Sequence, residues 1–311
     1  MSEERDLLRA TVAALVEKHA NSEAVRAAMD SERGYDENLW QLLCEQVGAA
    51  ALIVPEELGG AGGELADAAV VLEELAKALV PTPLLGSTLA ELALLATDRH
   101  ELLEALAEGT SVGTVVFDQD YVLNGGVADV VIAAQAGRLS RWTDITVTGA
   151  TAMDPTRRLA AVSAGASEDL GADPGLADTA AILLAVEQVG AASRCLDLTV
   201  AYTKDRVQFG RPIGSFQALK HRMSDLFVKI SAARSIVNDA VADPTPTNAS
   251  LARFMATEAF NAVAAEAIQM HGGIAITWEH DIQLYFKRAH GSAQLLGPAR
   301  EHLRRLEAEV L

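Results

Sequence analysis

The chain has 311 residues, half of them hydrophobic, and its 43 acidic and 25 basic side chains give a formal net charge of −18 at pH 7. This acidic balance argues against binding to a nucleic-acid backbone or an anionic membrane surface, because both need clustered Lys and Arg. No uncharged apolar run reaches the roughly 18 residues of a membrane span, and the N-terminus is charged from Glu3 onwards. The sequence therefore predicts a cytoplasmic protein with neither a membrane nor a nucleic-acid partner.

Residues 1–108 have the apolar periodicity of helices. Near the start, Leu8, Val12 and Leu15 recur three or four positions apart, which places them on one helix face. The stretch "VPEELGGAGG" interrupts a later helical pattern and predicts a loop, because Pro and Gly end regular structure. We predict an N-terminal helical domain over residues 1–108.

Residues 109–175 change character and predict a reduced, β-rich middle domain. The run "VLNGGVADVVIAA" is typical of a strand, an Asn-Gly-Gly turn and a second strand. "TRRLAAVSA" predicts another short strand, and "ASEDLGADPGLADT" predicts an acidic linker.

Residues 176–311 return to a helical pattern and predict a C-terminal helical bundle. Its first helix is long and apolar, and its predicted buried face is Leu183, Val186, Val189, Leu196 and Val200. A second helix follows Gly214, a third ends at a Gly-Gly pair, and one or two helices complete the chain. The two cysteines, Cys44 and Cys195, lack metal-ligand spacing and are predicted as small core residues. The predicted fold class is mostly α with a small β middle domain.

Two stretches carry more specific patterns. In "YTKDRVQFGRPIGSFQALKHRMSDL", Arg206 ends a helix before a Phe-Gly-Arg-Pro turn, where a guanidinium and free backbone N–H groups suit a diphosphate. In "AIQMHGGIAITWEHDIQLYFKRA", two glycines at a helix end would let a ligand approach the backbone. Taken alone, the first pattern is more typical of a salt-bridged helix end than of a diphosphate site, and the second is a helix stop. His271 is predicted to be a hydrogen-bonded helix terminator.

On these motifs the chain resembles the acyl-CoA dehydrogenase family over nearly its whole length. The resemblance is closest to the short subunits of heteromeric steroid-catabolic acyl-CoA dehydrogenases of bacteria. It implies an N-terminal helical domain, a reduced β domain and a C-terminal four-helix bundle, in a flavoprotein oxidoreductase of lipid metabolism. It also implies FAD, with the ADP moiety contacted across a subunit interface. The cofactor-binding residues that the resemblance assigns are Arg206, Phe209, Gln217, Gln269, Gly272 and Gly273.

The catalytic base of the resembled family is missing. Abstraction of a proton next to a thioester needs a carboxylate in a dry pocket. Matching the family pattern to "FKRAHGSAQLLGP" places Leu296 at the usual base position, and Ala180 occupies the alternative position on the first bundle helix. The family's "TEP-x-x-GSD" loop and "W-I-T-N" strand are also absent from residues 110–175. The resemblance thus predicts no catalytic residue in this chain.

These features lead to a hypothesis of a non-catalytic subunit in an α2β2 heterotetramer. A larger catalytic subunit would hold the acyl-CoA, with a steroid-derived acyl group as the suggested substrate, and this chain would complete the partner's FAD site. One alternative is an active homo-oligomer with a displaced base, for which Glu187, Glu279 and Asp281 are the candidates. In the stretch "TWEHD", Glu279 and Asp281 more readily cap the helix that follows. A second alternative is a scaffold or binding protein that has lost FAD.

Overall fold

The computed structural model describes residues 3–310; residues 1 and 2 of the predicted N-terminal domain and residue 311 of the predicted C-terminal domain lie outside the described range. It is mostly helical, with a small β region between two helical regions, which confirms the predicted fold class. The helices are α1 (Glu3–His19), α2 (Ser22–Asp30), α3 (Glu37–Leu42), α4 (Leu65–Lys77), α5 (Leu84–Leu95), α6 (Leu103–Ala107), α7 (Leu176–Asp205), α8 (Gln217–Ala242), α9 (Pro246–His271), α10 (Ile282–Gln294) and α11 (Ala299–Val310). The strands are β1 (Gly113–Val116), β2 (Val122–Leu123), β3 (Val130–Gln135), β4 (Arg138–Thr143), β5 (Thr146–Ala150), β6 (Leu159–Ser163), β7 (Ala166–Ala172), β8 (Val207–Gln208) and β9 (Arg211–Pro212).

We keep the predicted domain boundaries after residues 108 and 175 as a proposal. The first boundary falls between α6 and β1, and the second falls between β7 and α7.

Two small sheets form the middle region. One contains β1, β3, β4 and β7 in that order, with β1 and β3 parallel and the other pairs antiparallel. The other is antiparallel, in the order β2, β6, β5. Both sheets contribute to a second buried apolar cluster, which includes Val116, Val122, Val131, Trp142 and Val162. The β region therefore has a small core of its own.

The predicted pairing of the first two strands in "VLNGGVADVVIAA" is wrong. Both strands form, but β2 pairs with β6, whereas β3 pairs with β1 and β4. The tight hairpin lies one strand later, where Ala136 and Gly137 join β3 to β4 with φ of 51° and 73°. Two consecutive positive φ angles match the twist of a two-residue hairpin, so the hairpin forms at Ala136 and Gly137 despite the Asn-Gly signal upstream.

The predicted acidic linker is wrong over its first half, which forms β7. This strand pairs with β4 at the edge of the four-stranded sheet. The side chains of Glu168 and Asp169 are exposed, and Asp169 forms an ion pair with Arg138 on the neighbouring strand. Charges on an exposed edge strand are compatible with pairing on one side and discourage pairing with another chain on the other.

The C-terminal region is a bundle of α7, α8, α9 and α10, with α11 packed against α9. The 30-residue α7 lies at its centre and also contacts α4 of the N-terminal region. The predicted buried face of α7 is confirmed, although Val200 is only half-buried. By length and composition α7 could cross a membrane, but 72% of its apolar window is buried inside the chain. A helix that is apolar on most sides is typical of the centre of a large core.

A carboxyl group is buried in α5 of the N-terminal region. Glu91 is 1% exposed, and its Oε1 has no hydrogen-bond partner among the residues that the structure describes. Burial raises the pKa of Glu91 well above 4.5. Burial therefore favours the neutral form of this carboxyl group in the folded chain, because an isolated buried charge is far more costly than a buried neutral group.

We expect Glu91→Gln to increase the free energy of unfolding, with a gain that grows as the pH rises above 4.5, the ordinary pKa of the group. Above this pH the unfolded chain ionises while the folded chain keeps its proton, so wild-type stability falls by up to about 1.4 kcal/mol per pH unit until the raised pKa is passed. Urea unfolding at several pH values measures the gain. Glu17→Gln, at an exposed position of α1, is the matched control. A gain that is the same at every pH would contradict the assignment.

Candidate functional site

The six predicted cofactor-binding residues come together at one end of the bundle, where α7 ends, α8 begins and α9 ends. The Tyr202 hydroxyl near the end of α7 donates to the carbonyl oxygen of His271, the last residue of α9, at 3.2 Å. Arg222 on α8 forms an ion pair with Glu266 on α9 at 2.6 Å. Together these contacts bring three stretches that are distant in sequence to one surface, which we call the exposed end of the bundle.

All six predicted residues are exposed on this surface: Arg206, Phe209, Gln217, Gln269, Gly272 and Gly273. The structure shows no side-chain hydrogen bond or ion pair from Arg206, Gln217 or Gln269 to another described residue. Their donors and acceptors therefore remain available to a group outside the chain. This arrangement fits the phosphates and base of a dinucleotide, which offer acceptors to a guanidinium and both kinds of partner to an amide.

Phe209 stands at the tip of the short β8–β9 hairpin. Its side chain is 93% exposed, its φ is 53°, and its ring meets that of Phe216 edge-on at 6.2 Å. A positive φ is uncommon for a bulky residue, and a large exposed aromatic ring usually belongs to a contact surface. The hairpin thus presents Phe209 outwards, away from the core of its own chain.

The exposed end is basic within an acidic protein. Between residues 204 and 222 the chain has one acidic residue, Asp205, and five basic ones: Lys204, Arg206, Arg211, Lys220 and Arg222. This local excess, in a chain of net charge −18, favours an anionic ligand at this surface.

The turn at Gly272 rests on a stack of three rings. Tyr202 stacks on His271 with ring centroids 4.2 Å apart, and His280 meets His271 edge-on at 4.7 Å. His271 Nδ1 donates to the Ala267 carbonyl oxygen at 2.8 Å, which confirms the predicted helix terminator. Burial lowers the pKa of His271 and of His280. Both rings are therefore neutral at pH 7 and support the turn without adding charge.

The two positions of the glycine pair, Gly272 and Gly273, differ in whether the fold of this chain itself requires a glycine. Gly272 has φ of 63° and ψ of −141°, a conformation in which a side chain is strained. A Cβ on Gly273 would meet no atom within 4 Å, so the packing of this chain does not require glycine there.

A second feature lies at the other end of the bundle. A cavity of about 1090 Å³ separates the β region from the turn between α10 and α11. Leu296, the residue matched to the family base position, lines this cavity and has φ of 60°. Ala180 does not line the cavity; it is fully buried in α7. The two predicted base positions are thus apolar in their structural setting as well.

Three arginines lie buried beside the cavity. Arg288 forms an ion pair with Asp154 at 2.7 Å, and both side chains are 4% exposed. Arg157 forms an ion pair with Glu187 and donates to the hydroxyl of Ser292 at 2.7 Å. Since Asp154 and Arg157 belong to the β region and their partners to the bundle, these pairs join the two regions.

The third arginine, Arg253 of α9, has no carboxylate partner among the described residues. It donates to the carbonyl oxygen of Ser292 and, at 2.8 Å, to that of Leu295. Gln188 and Thr257 accept further hydrogen bonds from it. The carbonyl groups are those of the last turn of α10, which the helix itself leaves unpaired. Arg253 therefore caps α10 and holds the turn that carries Leu296.

Of the three alternative base candidates, the structure places only Glu187 near the cavity, and there it is paired with Arg157. Glu279 is exposed. Asp281 occupies the N-cap position of α10, as expected, but its carboxylate makes no cap hydrogen bond. The carboxylate instead accepts from Ser22 and Arg26 of α2. These contacts hold the N-terminal region against the bundle.

Several residues that line the cavity or lie beside it were not predicted from the sequence. Glu301 lines it, and its Oε2 would lie 3.3 Å from a Cβ placed on Gly297. Arg253 and Arg157 were missed as well. The detectable signal was an arginine on an otherwise apolar helix, as in "SLARFMATEAF", because a charge at a core position needs specific partners. Nothing in the sequence indicated which partners these would be.

Comparison with known proteins agrees with the fold along the whole chain. The family model described as the N-terminal domain of acyl-CoA dehydrogenase matches residues 2–109, and the C-terminal domain model matches residues 175–311. The chain is 72% identical over 310 residues to acyl-CoA dehydrogenase IpdE2 of Mycolicibacterium smegmatis, covering 100% of both. It is 67% identical to IpdE2 of Mycobacterium tuberculosis, covering 99% of this chain and 98% of the relative.

Comparison with solved structures shows the same fold. A variant of the Tcur3481-Tcur3483 steroid ACAD superposes with a TM-score of 0.91 at 26% identity, covering 99% of this chain and 98% of that one. The ChsE4-ChsE5 complex from Mycobacterium tuberculosis contains a chain that superposes with a TM-score of 0.90 at 24% identity, with coverage of 100% and 98%. At 24% identity, the similarity to the ChsE4-ChsE5 chain shows a shared fold and nothing more.

We expect Arg253→Met to destabilise the chain by roughly 2–4 kcal/mol, because the carbonyl groups of Ser292 and Leu295 lose their buried donor. Amide hydrogen exchange of the peptide covering residues 290–300 should accelerate, since the cap of α10 is lost. Urea unfolding and exchange mass spectrometry measure the two effects. Arg194→Met, at an exposed position of α7, is the control. A loss below about 0.5 kcal/mol, the scale of ordinary surface substitutions, together with unchanged exchange would refute the capping role.

Proposed function

Because the chain belongs to the acyl-CoA dehydrogenase family, whose members oxidise CH–CH bonds, we propose that it is the non-catalytic subunit of an α2β2 acyl-CoA dehydrogenase. In this assembly a larger catalytic subunit holds the acyl-CoA, and this chain completes the partner's FAD site through the exposed end of the bundle. The chain alone is inactive.

The observation that carries the proposal is the separation of the two sites. Ala177 at the start of α7 lines the cavity, and Arg206 follows the end of the same helix. At 1.5 Å per residue the two lie roughly 45 Å apart. That distance is longer than one dinucleotide can bridge. Residues at the exposed end therefore serve a cofactor whose reacting ring lies in another subunit.

When bound, FAD supplies hydride acceptance from the β carbon of the acyl group. The role of this chain is to hold the ADP moiety. Arg206 offers charged donors to the diphosphate, Gln217 and Gln269 offer amide hydrogen bonds, and Phe209 offers an apolar surface. Gly272 and Gly273 let the phosphates come close to the backbone, next to the end of α9.

The absence of a base supports the non-catalytic role. Leu296 cannot accept a proton, Ala180 is buried away from the cavity, and Glu187 is engaged by Arg157. The ion pair occupies the Glu187 carboxylate, so that side chain is not free to take a substrate proton.

The relatives and the surface support a heteromeric assembly. The Tcur3481-Tcur3483 protein is described as a steroid ACAD, and ChsE4-ChsE5 as a complex. Large apolar side chains remain exposed on the bundle of this chain, among them Phe227, Val228, Ile276 and Trp278, as expected where another subunit packs. On this basis we propose a steroid-derived acyl-CoA as the substrate of the complex and the cytoplasm as its location, with no membrane or nucleic-acid partner.

A second candidate is favoured by one observation, the carboxylate of Glu301 in the cavity. It stands one helical turn beyond Gly297, near the turn that carries the family's base position, and it has no ion-pair partner among the described residues. In an active chain Glu301 would take the proton that Leu296 cannot. Its exposure to solvent weighs against this role, because this proton abstraction takes place in a pocket from which water is excluded.

The first test compares the purified chain with the chain co-purified with a larger acyl-CoA dehydrogenase subunit from the same organism. We expect no bound flavin and no turnover for the chain alone, and a flavin spectrum with acyl-CoA oxidation for the complex. Arg206→Ala in the complex should weaken FAD binding by about tenfold or more, as loss of a charge-assisted contact predicts, whereas Arg194→Ala should not. A yellow, active preparation of the chain alone would overturn the proposal.

The second test addresses Glu301. If the chain is non-catalytic, Glu301→Gln in the complex leaves kcat unchanged within about twofold, because no proton passes through this side chain. A base that is removed from its reaction costs at least about a hundredfold in kcat. A loss of that size, with substrate binding retained, would establish the second candidate in place of the first.

A further inference from the structure

The buried charges beside the cavity do not balance. Arg157, Arg253 and Arg288 contribute three positive charges, while Asp154 and Glu187 contribute two negative ones. Burial together with the nearby Arg157 lowers the pKa of Arg253 to about 9, which reflects the shortage of negative charge. A buried cation without a counter-ion is unfavourable, so this region gains stability from an additional anion.

Arg157 is the member of this group that reaches the cavity. Its side chain is 8% exposed and forms part of the cavity wall. Glu187 and the Ser292 hydroxyl each accept a hydrogen bond from one of its two terminal nitrogens. A guanidinium carries five N–H groups, and the structure shows no further partner for Arg157 among the described residues. Donors therefore remain for a group inside the cavity.

The rest of the wall is mostly apolar. Leu89, Phe117, Phe286, Leu295 and Leu296 are among the lining residues. A volume of about 1090 Å³ accommodates a ligand of several fused rings or a long chain, since drug-sized ligands occupy sites of about 300–1,000 Å³. Three acidic residues also line the cavity: Asp118, Asp154 and Glu301. Asp154 is paired with Arg288, and the other two are exposed, so water screens their charge more than that of Arg157.

We propose that this cavity is a binding site for an apolar carboxylic acid. The carboxylate accepts hydrogen bonds from Arg157 and supplies the missing negative charge, while the hydrocarbon part lies against the apolar wall. The site requires no flavin and no proton transfer. It therefore goes beyond the proposed function, and its test uses this chain alone, so the flavin experiment and the binding experiment fail independently.

The probe is 1-pyrenebutyrate, a fluorescent tetracyclic hydrocarbon with a carboxylate, compared with neutral 1-pyrenebutanol. Fluorescence titration of the full chain should show saturable 1:1 binding of both, with the butyrate bound at least about tenfold more tightly, as expected for a desolvated charge pair. Ala177→Trp, a substitution at an exposed residue of the wall, should weaken binding of both probes. Equal affinities, or no saturable binding, would overturn the proposal.

Two further variants separate recognition of the carboxylate from damage to the fold. Arg157→Met combined with Glu187→Met removes the ion pair as a unit and should abolish the preference for the butyrate. Glu187→Gln removes only the competing carboxylate and should tighten binding of the butyrate by severalfold while leaving the alcohol unchanged. Structural damage would weaken both probes, not strengthen one. Arg194→Met is the control and should match the wild type. A preference that persists in the double variant would contradict the role of Arg157.

Discussion

Arg253 lies fully buried in the bundle and donates to two carbonyl groups at the end of α10. The turn between α10 and α11 depends on this contact, because an uncapped helix end cannot remain buried without partners. The same turn carries Leu296 and forms one wall of the cavity. Arg288 and Arg157 extend the polar cluster to the β region through Asp154 and Glu187. One group of buried side chains thus sets the cap, the domain contact and the shape of the cavity.

The bundle separates two surfaces of opposite kind. At the C-terminal end of α7, Arg206, Gln217 and Gln269 stand exposed without side-chain hydrogen bonds or ion pairs among the described residues, beside a glycine turn held by stacked neutral rings. At the N-terminal end of α7, an apolar cavity rests on an excess of buried positive charge. Because a 30-residue helix keeps these surfaces far apart, each is interpreted separately: the first as a contribution to another subunit, the second as a pocket belonging to this chain.

The proposed function separates Leu296 from the polar frame around it. The arginines that pack behind Leu296 would be costly to remove one at a time, since each removal leaves a partner buried and unpaired. A single apolar residue at the tip of the turn has no such partners. Under the proposed function, this difference accounts for a polar frame that persists around a position without a base.

The sequence by itself determined the family and the order of helices, strands and helices, because these follow from local periodicity and from motifs that are contiguous in the chain. It misplaced the hairpin and missed β7, since strand pairing is decided by which partner lies alongside. The sequence did not predict the charge cluster, because its members lie on four separate segments of the chain. They are Arg157, Glu187, Arg253 and Arg288. Only the tertiary structure brings them within hydrogen-bond distance, and the energy of a buried charge is decided by the partners it finds there.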